Sequence, residues 1–484
     1  MAAGGCEVNV ARVLLVNPPI YDFAAFDLWA RPLGLLYVAA ALEACGHEVR
    51  VVDCLDRLHP AVRSAGGKHG PKRRRHGTGT YFWREAEMPE CYGRIPRIYK
   101  RFALPEDAIR AELSGGVRPD VVGITSGMTY WYLGVAEAAR FAREVFPGVP
   151  IVLGGIYATL CPEHARETVR PEYLVEGAGE AAMAEVVRQI AGGPPARVAA
   201  EFTALPDPAY HLLARFESVS ILTGRGCPYS CEYCASGILA PRLERRRPEA
   251  VVEEIEGYKT RFGVRDVAFH DDALLWDGER HIKPILREAV RRNLGMRFHT
   301  PNGLHARMID EEVAGLMKEA GFATIRISLE TVERARLAEW DNKVSYEEFV
   351  TAAGRLKKAG FTGEEIGAYV MTGLPGETRL EAARSIAAAH AAGVKVKLAH
   401  YSPVPGTAYF EKARREAGVD ISEPLLQNNT VVPAGGIGPY EEYEALKGFT
   451  RRLNDELAAG RVVFSPSQIQ SGFEKALGET GFEI

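Results

Sequence analysis

Three cysteines, Cys227, Cys231 and Cys234, sit in Gly224-Arg-Gly-Cys-Pro-Tyr-Ser-Cys-Glu-Tyr-Cys234, and no other residues in the chain have a type and spacing so suited to chemistry. Thiolates ligate zinc and iron–sulfur clusters. A structural zinc site needs a fourth Cys or His, and the nearest one downstream is His270. Three thiolates on one loop suit a [4Fe-4S] cluster whose fourth iron is left open for a substrate or cofactor. The other five cysteines, Cys6, Cys45, Cys54, Cys91 and Cys161, are scattered along 484 residues. That is too sparse for a disulfide scaffold and points to a reducing compartment, with the cytoplasm as the expectation.

The loop must be held by a sizeable scaffold. Hydrophobic residues at 46% and charged residues at 25% are those of a globular chain. Lys+Arg 59 against Asp+Glu 63 leaves −4, which excludes a surface that attracts nucleic acid or membrane everywhere. The longest uncharged apolar run, Leu33 to Leu42, is shorter than the roughly 20 residues of a membrane span, and Met1 to Asn9 has no secretory pattern, so neither is expected.

Short apolar runs alternate with helical periodicity over residues 1–195, the pattern of a doubly wound α/β domain. Its strands are expected at Arg12 to Asn17, Glu48 to Asp53, Asp120 to Thr125, Pro150 to Gly154 and Tyr173 to Glu176. Ligands of such sheets bind at the strands' carboxyl ends, in the loops that begin at Asn17, Thr125, Gly154 and Glu176. Residues 54–104 are too long for a connection and carry Lys68, Lys72, Arg73, Arg74 and Arg75. They read as an insertion, either a solvated loop or a lid or anion contact.

Gly192-Gly-Pro-Pro195 marks a boundary, and residues 196–217 read as a linker through Leu205-Pro-Asp-Pro208. Six further strand–helix units over 218–408 predict a partial TIM barrel, (β/α)6, with chemistry at the carboxyl ends of its strands. The strands are expected at Val219 to Thr223, Asp266 to His270, Met296 to Thr300, Thr324 to Leu329, Glu365 to Thr372 and Val394 to Tyr401. Residues 409–484 read as mostly helical, with one irregular Asn- and Gly-rich stretch.

Cys-x-x-x-Cys-x-x-Cys after the first strand of such a barrel, with Tyr233 before the last cysteine, resembles the radical S-adenosylmethionine (SAM) superfamily. The resemblance implies that SAM chelates the open iron and is cleaved by one electron to methionine and a 5'-deoxyadenosyl radical. Further matches suggest SAM contacts. His270-Asp-Asp-Ala273, in place of the family's usual Gly-Gly-Glu, offers Asp271 and Asp272 to the methionyl ammonium. On the fourth strand, period two puts Arg326, Ser328 and Glu330 on one face, either toward the cofactor or satisfying one another inside the barrel. Met371-Thr-Gly-Leu-Pro-Gly-Glu377 contributes Met371 and Gly373, and Tyr401-Ser-Pro-Val-Pro-Gly-Thr407 places Tyr401 near the expected adenine.

Asn17-Pro-Pro, Arg31-Pro-Leu-Gly-Leu-Leu-Tyr, Gly154-Gly-Ile-Tyr-Ala-Thr and Glu176-Gly-Ala-Gly-Glu180 resemble the cobalamin-binding domain that precedes the barrel in one large subgroup of that superfamily. The resemblance implies cobalamin beside Asn17, Ser126, Gly154, Gly155, Gly177 and Gly179. The Asp-x-His-x-x-Gly motif of a lower axial histidine is absent. The implied activity is a cobalamin-dependent radical SAM methyltransferase acting on an unactivated carbon of a small or peptide-derived substrate, with flavodoxin or ferredoxin as electron donor. The same cofactors also allow cyclisation, rearrangement or oxidation without methyl transfer. Methylthiolation of tRNA is disfavoured, because no second cluster and no nucleic-acid barrel is evident. A cluster or corrinoid sensor is a further alternative, from a different class.

Overall fold

The computed structural model describes residues 9–63, 68–93, 95–192, 198–199, 201–340, 343–418, 420–430, 440–482 and 484. The first eight residues, Gly193 to Pro195 of the boundary signal and 431–439 of the Asn- and Gly-rich stretch lie outside them. The chain divides into two compact units, Met1–Ser220 with Ile238–Ala240, and Ile221–Gly237 with Pro241–Ile484. No helix among the described residues is long and apolar enough to cross a membrane.

In the first unit, strands β1 (Arg12–Asn17), β2 (Glu48–Asp53), β3 (Val121–Ile124), β4 (Ile151–Leu153) and β5 (Tyr173–Leu174) form a parallel sheet in the order β5-β4-β3-β1-β2. Register runs Arg12 with Glu48 to Asn17 with Asp53 on one side of β1, and Val13 with Val121 to Val16 with Ile124 on the other. The order reverses between β1 and β3, where this sheet type opens its ligand crevice. Val13 to Val16 are all buried, as a strand covered by helices on both faces requires. The helices are α1 (Leu33–Ala44), α2 (Glu106–Ser114), α3 (Tyr132–Val145), α4 (Pro162–Thr168) and α5 (Gly179–Ala191). The fifth strand is shorter than the expected Tyr173 to Glu176, ending at Leu174.

Gly155, just after β4, has φ 95°, and a Cβ there would lie 2.4 Å from the Ser126 carbonyl oxygen. Gly155→Ala is therefore expected to cost about 2 kcal/mol or more, read as a lower melting temperature. An unchanged melting temperature would show that the two loops part without strain.

Residues 54–104 are more than a solvated loop, which corrects that expectation. Trp83–Glu85 and Lys100–Phe102 pair antiparallel with each other, and Lys100–Phe102 also pairs with Ile20–Asp22. Gly79–Thr80 pairs with Phe26–Asp27. Ile20, Ala25, Tyr81 and Phe102 make a small core of their own. Beside it the fully buried Asp27 carboxylate accepts from Arg31 at 2.6 Å and from Arg57 at 2.7 Å.

The barrel strands are β6 (Ser218–Ile221, which spans the boundary between the units), β7 (Asp266–Phe269), β8 (Arg297–His299), β9 (Phe322–Glu330), β10 (Ile366–Thr372) and β11 (Lys395–His400). They follow one another in the sheet in sequence order. An unforeseen short strand, Leu304–His305, also pairs with β9. Between the strands run α6 (Pro248–Phe262), α7 (Ile282–Arg291), α8 (Glu311–Ala320), α9 (Tyr346–Lys358) and α10 (Arg379–Ala391), followed by α11 (Ala408–Glu416) and α12 (Tyr440–Ala458). Side-chain caps fix several starts: Asp310 for α8, and capping boxes Ser345/Glu348 for α9 and Thr378/Glu381 for α10. At the sheet's last strand, the Asn454 side chain accepts the Val396 N–H at 2.8 Å and donates to the Val396 carbonyl at 3.0 Å.

Candidate active site

The cysteine loop leaves the barrel directly after β6 and is bracketed by a two-residue antiparallel pair, Gly224–Arg225 with Glu244–Arg245. Its entry is fixed by Asp271. That carboxylate accepts the Thr223 N–H at 3.0 Å, the Thr223 hydroxyl at 2.5 Å and the Gly224 N–H at 2.7 Å. Since the single hydroxyl proton of Thr223 goes to Asp271, the Thr223 oxygen accepts from His281 Nε2, 2.7 Å away, so His281 carries its proton on Nε2. Burial, reinforced by Arg245, lowers the His281 pKa to about 3 and keeps the ring neutral. Burial also raises Asp271 to about 6, against the opposing bonds from Thr223.

Beyond this entry the three cysteines line a cavity of about 460 Å3 at the carboxyl ends of the barrel strands. Cys231 is buried, Cys227 half-buried and Cys234 exposed. The Ser236 N–H donates to Cys234 Sγ at 3.4 Å. Of the residues expected here, Tyr233, Asp272, Ser328, Glu330, Met371 and Tyr401 do line the cavity.

Three others do not. Asp271 is consumed by the loop entry. Arg326 lies deeper, its Nη1 donating to its own neighbour's carbonyl, Ile325 O, at 2.9 Å. Gly373 has φ 80°, and a Cβ there would meet the His400 ring at 2.4 Å, so its openness accommodates a side chain of this chain. The turn holding it is closed by the buried Glu377, whose carboxylate accepts the Gly373 N–H at 2.8 Å.

Lys343, which no motif marks, is the group that ties the cavity wall together. It is buried, and its Nζ donates to Glu330 Oε1 at 3.2 Å and to the Tyr233 hydroxyl at 3.3 Å. Burial alone would lower its pKa, but the Glu330 carboxylate and Cys231 raise it, so the cation is held. Glu330 itself has φ 64°, where β9 shifts register against β10. That left-handed conformation is strained for a non-glycine residue. The short strand Leu304–His305 adds His305, stacked on Tyr229 at 4.3 Å, to the opposite wall.

The donor set fits a cluster: three cysteine thiols from one loop line a single cavity, and three thiolates leave one iron of a [4Fe-4S] cluster open.

In the first unit the residues expected near a corrinoid occupy the crevice end of the sheet, but their polar groups bond internally. Asn17 donates to Asp53 at 2.7 Å, and the buried Ser126 hydroxyl donates to the Gly154 carbonyl at 2.7 Å. Gly177, with φ 73°, has open space where a Cβ would stand, and Gly179 begins α5.

Comparison with known proteins agrees with this architecture. The model of the radical SAM superfamily matches residues 221–389, and that of the B12 binding domain matches residues 98–187. An uncharacterized methyltransferase of Pyrococcus horikoshii is 26% identical over 84% of each chain. A cytidylyl-2-hydroxyethylphosphonate methyltransferase of Streptomyces wedmorensis is 22% identical over 92% of this chain and 90% of that one. The structure of the radical SAM methyltransferase TsrM from Kitasatospora setae, with cobalamin and a [4Fe-4S] cluster bound, superposes with TM-score 0.63 and 18% identity over 95% of this chain and 90% of that one. Fold and site thus define a barrel whose cysteine loop can carry an iron–sulfur cluster, in one chain with a doubly wound domain. The chain contains a radical SAM domain and a B12-binding domain.

Proposed function

We propose that this enzyme is a cobalamin-dependent radical SAM methyltransferase that methylates an unactivated carbon of a small molecule. The observation that carries the reading is the cysteine loop opening into a cavity walled by Glu330, Lys343 and Tyr233, in a chain that also has a B12-binding domain. In this reading Cys227, Cys231 and Cys234 hold the cluster, and no other residue need ligate it. When bound, the cluster and SAM supply the carbon-centred radical, and the corrinoid supplies the methyl group.

The chain's own residues bind, orient and exclude water. Asp272, whose carboxyl is raised by burial, and Ser328 face the cavity as acceptors for the SAM ammonium and hydroxyls. Glu330 is held in place by Lys343, whose Nζ lies 3.2 Å from its Oε1. Met371 and Tyr401, packed with Trp340 and Tyr409, form an apolar wall for the adenine. Residues 1–195, 218–408 and 409–484 serve in turn as corrinoid domain, SAM barrel and helical closure. The first carries the corrinoid against the carboxyl ends of β1, β3, β4 and β5. A flavodoxin- or ferredoxin-like donor in the cytoplasm delivers the electron.

The test uses protein purified without oxygen from cells supplied with cobalamin. The expected result is near four irons and one corrinoid per chain, with the methyl label of SAM recovered on the corrinoid after reductant is added. Four irons without corrinoid would overturn the methyltransferase reading while leaving the barrel assignment intact. Corrinoid retained without any label transfer favours the cyclisation or oxidation chemistry instead.

A further inference from the structure

The basic run Lys68 to Arg75 is the sequence feature that the proposed function leaves unused. In the structure it is dispersed. Lys68 lies over the Trp83 ring at 5.8 Å and Arg74 over the Phe26 ring at 5.0 Å. Lys72 and Arg73 instead enter a cleft of about 650 Å3 within the first unit, whose other walls present Arg57, Arg63 and Arg215.

These five cations face a single lining carboxylate, Glu217, and that carboxylate is already shared. Arg57, 5% exposed, donates to one Glu217 oxygen at 2.7 Å and to Asp27 at 2.7 Å. The Arg73 Nε is 3.1 Å from the other Glu217 oxygen. Among the described residues Arg215 is held through its Nε, 2.6 Å from Asp56. The Arg63 and Lys72 side chains form no ion pair or hydrogen bond among the described residues. The cleft therefore keeps an excess of positive charge in a chain whose net charge is −4. Its remaining lining includes the apolar side chains of Leu58, Val62 and Phe216.

We propose that this cleft is a binding site for a small organic phosphate. The guanidinium Nη groups of Arg73 and Arg215, with Arg63 and Lys72, match a tetrahedral oxyanion, for which arginine forks and lysine point charges are the usual donors. The adjoining apolar surface takes the organic body, and the volume lies in the range of small-molecule sites.

Calorimetric titration of the full-length protein, loaded with cluster and cobalamin, tests this with phenyl phosphate, inorganic phosphate and benzyl alcohol at about 0.15 M salt. Phenyl phosphate is expected to bind one per chain, inorganic phosphate more weakly, and benzyl alcohol not at all. The double variant Arg63→Ala, Lys72→Ala removes two exposed side chains that form no ion pair among the described residues. It is expected to weaken phenyl phosphate at least about tenfold with iron and cobalamin content unchanged. Absence of phenyl phosphate binding, equal affinity in the double variant, or equal binding of inorganic phosphate would each overturn the proposal. So would loss of cobalamin from the variant, which would assign these cations to the corrinoid's own phosphodiester.

Discussion

A Cys231→Ala variant is expected to fold, to retain no cluster and to form no 5'-deoxyadenosine from SAM. The three sulfurs stand on one loop, and the lining residues of a type that could replace a lost thiolate are the carboxylates Asp272 and Glu330, the latter already bonded to Lys343, and the imidazoles His305 and His400. Both rings are held neutral, with pKa values lowered to about 3 and about 4, chiefly by burial. His305 is stacked on Tyr229 and His400 is 3.0 Å from the Thr372 hydroxyl. Truncating one small buried side chain costs only about 1 kcal/mol, so the loss of iron would not reflect unfolding. Cys161→Ala, buried in the first unit, is the control and should keep its iron. Iron and SAM cleavage persisting in Cys231→Ala would remove the cluster from this loop.

The second large effect belongs to Asp271. Alanine there strands the Thr223 and Gly224 N–H groups and the Thr223 hydroxyl in a buried setting, and each unpaired group costs about 1–3 kcal/mol. A loss of about 3 kcal/mol or more is expected, seen as a lower melting temperature together with a reduced iron content. SAM affinity per loaded cluster should stay near that of the parent. Asp272→Asn should do the reverse, weakening SAM with little change in melting temperature. If Asp271→Ala instead kept its stability and iron but lost SAM affinity, the carboxylate would have to reach the cofactor.

This pair shows where the sequence stops being readable. Strand alternation decides which side chains share a face, and Ser328 and Glu330, two apart on β9, both line the cavity. It says less about depth. Arg326 is on the same face, but four residues before Glu330 at about 3.3 Å per residue it lies more than 10 Å further down the strand, beside Tyr369. Past Phe269 the chain has left β7, alternation no longer applies, and two adjacent aspartates could not be told apart. The glycine of Met371-Thr-Gly-Leu-Pro-Gly-Glu377 marked a close approach, but the approaching group is His400. Asn17 and Ser126 are polar residues at strand ends, the pattern of ligand contacts, yet Asp53 and Gly154 use them first. Lys343 lies in a connection between helices with no spacing to betray it, and only the folded barrel brings it to Glu330. The parallel sheets themselves were legible because continuous apolar strands and 3.6-period helices alternate over most of the chain.

The bond pair between Asn454 and Val396 has a consequence for solubility. An open barrel ends in a strand whose outer backbone groups invite another chain to add to the sheet, the usual route to aggregation and swapped dimers. Here one amide side chain on α12 occupies the donor and acceptor of Val396 as a neighbouring strand would. Helix α12 is thus a guard on the last strand as well as a packing element. A chain truncated before Tyr440 would present that edge bare, and would associate with itself through β11 however intact its cysteine loop remained.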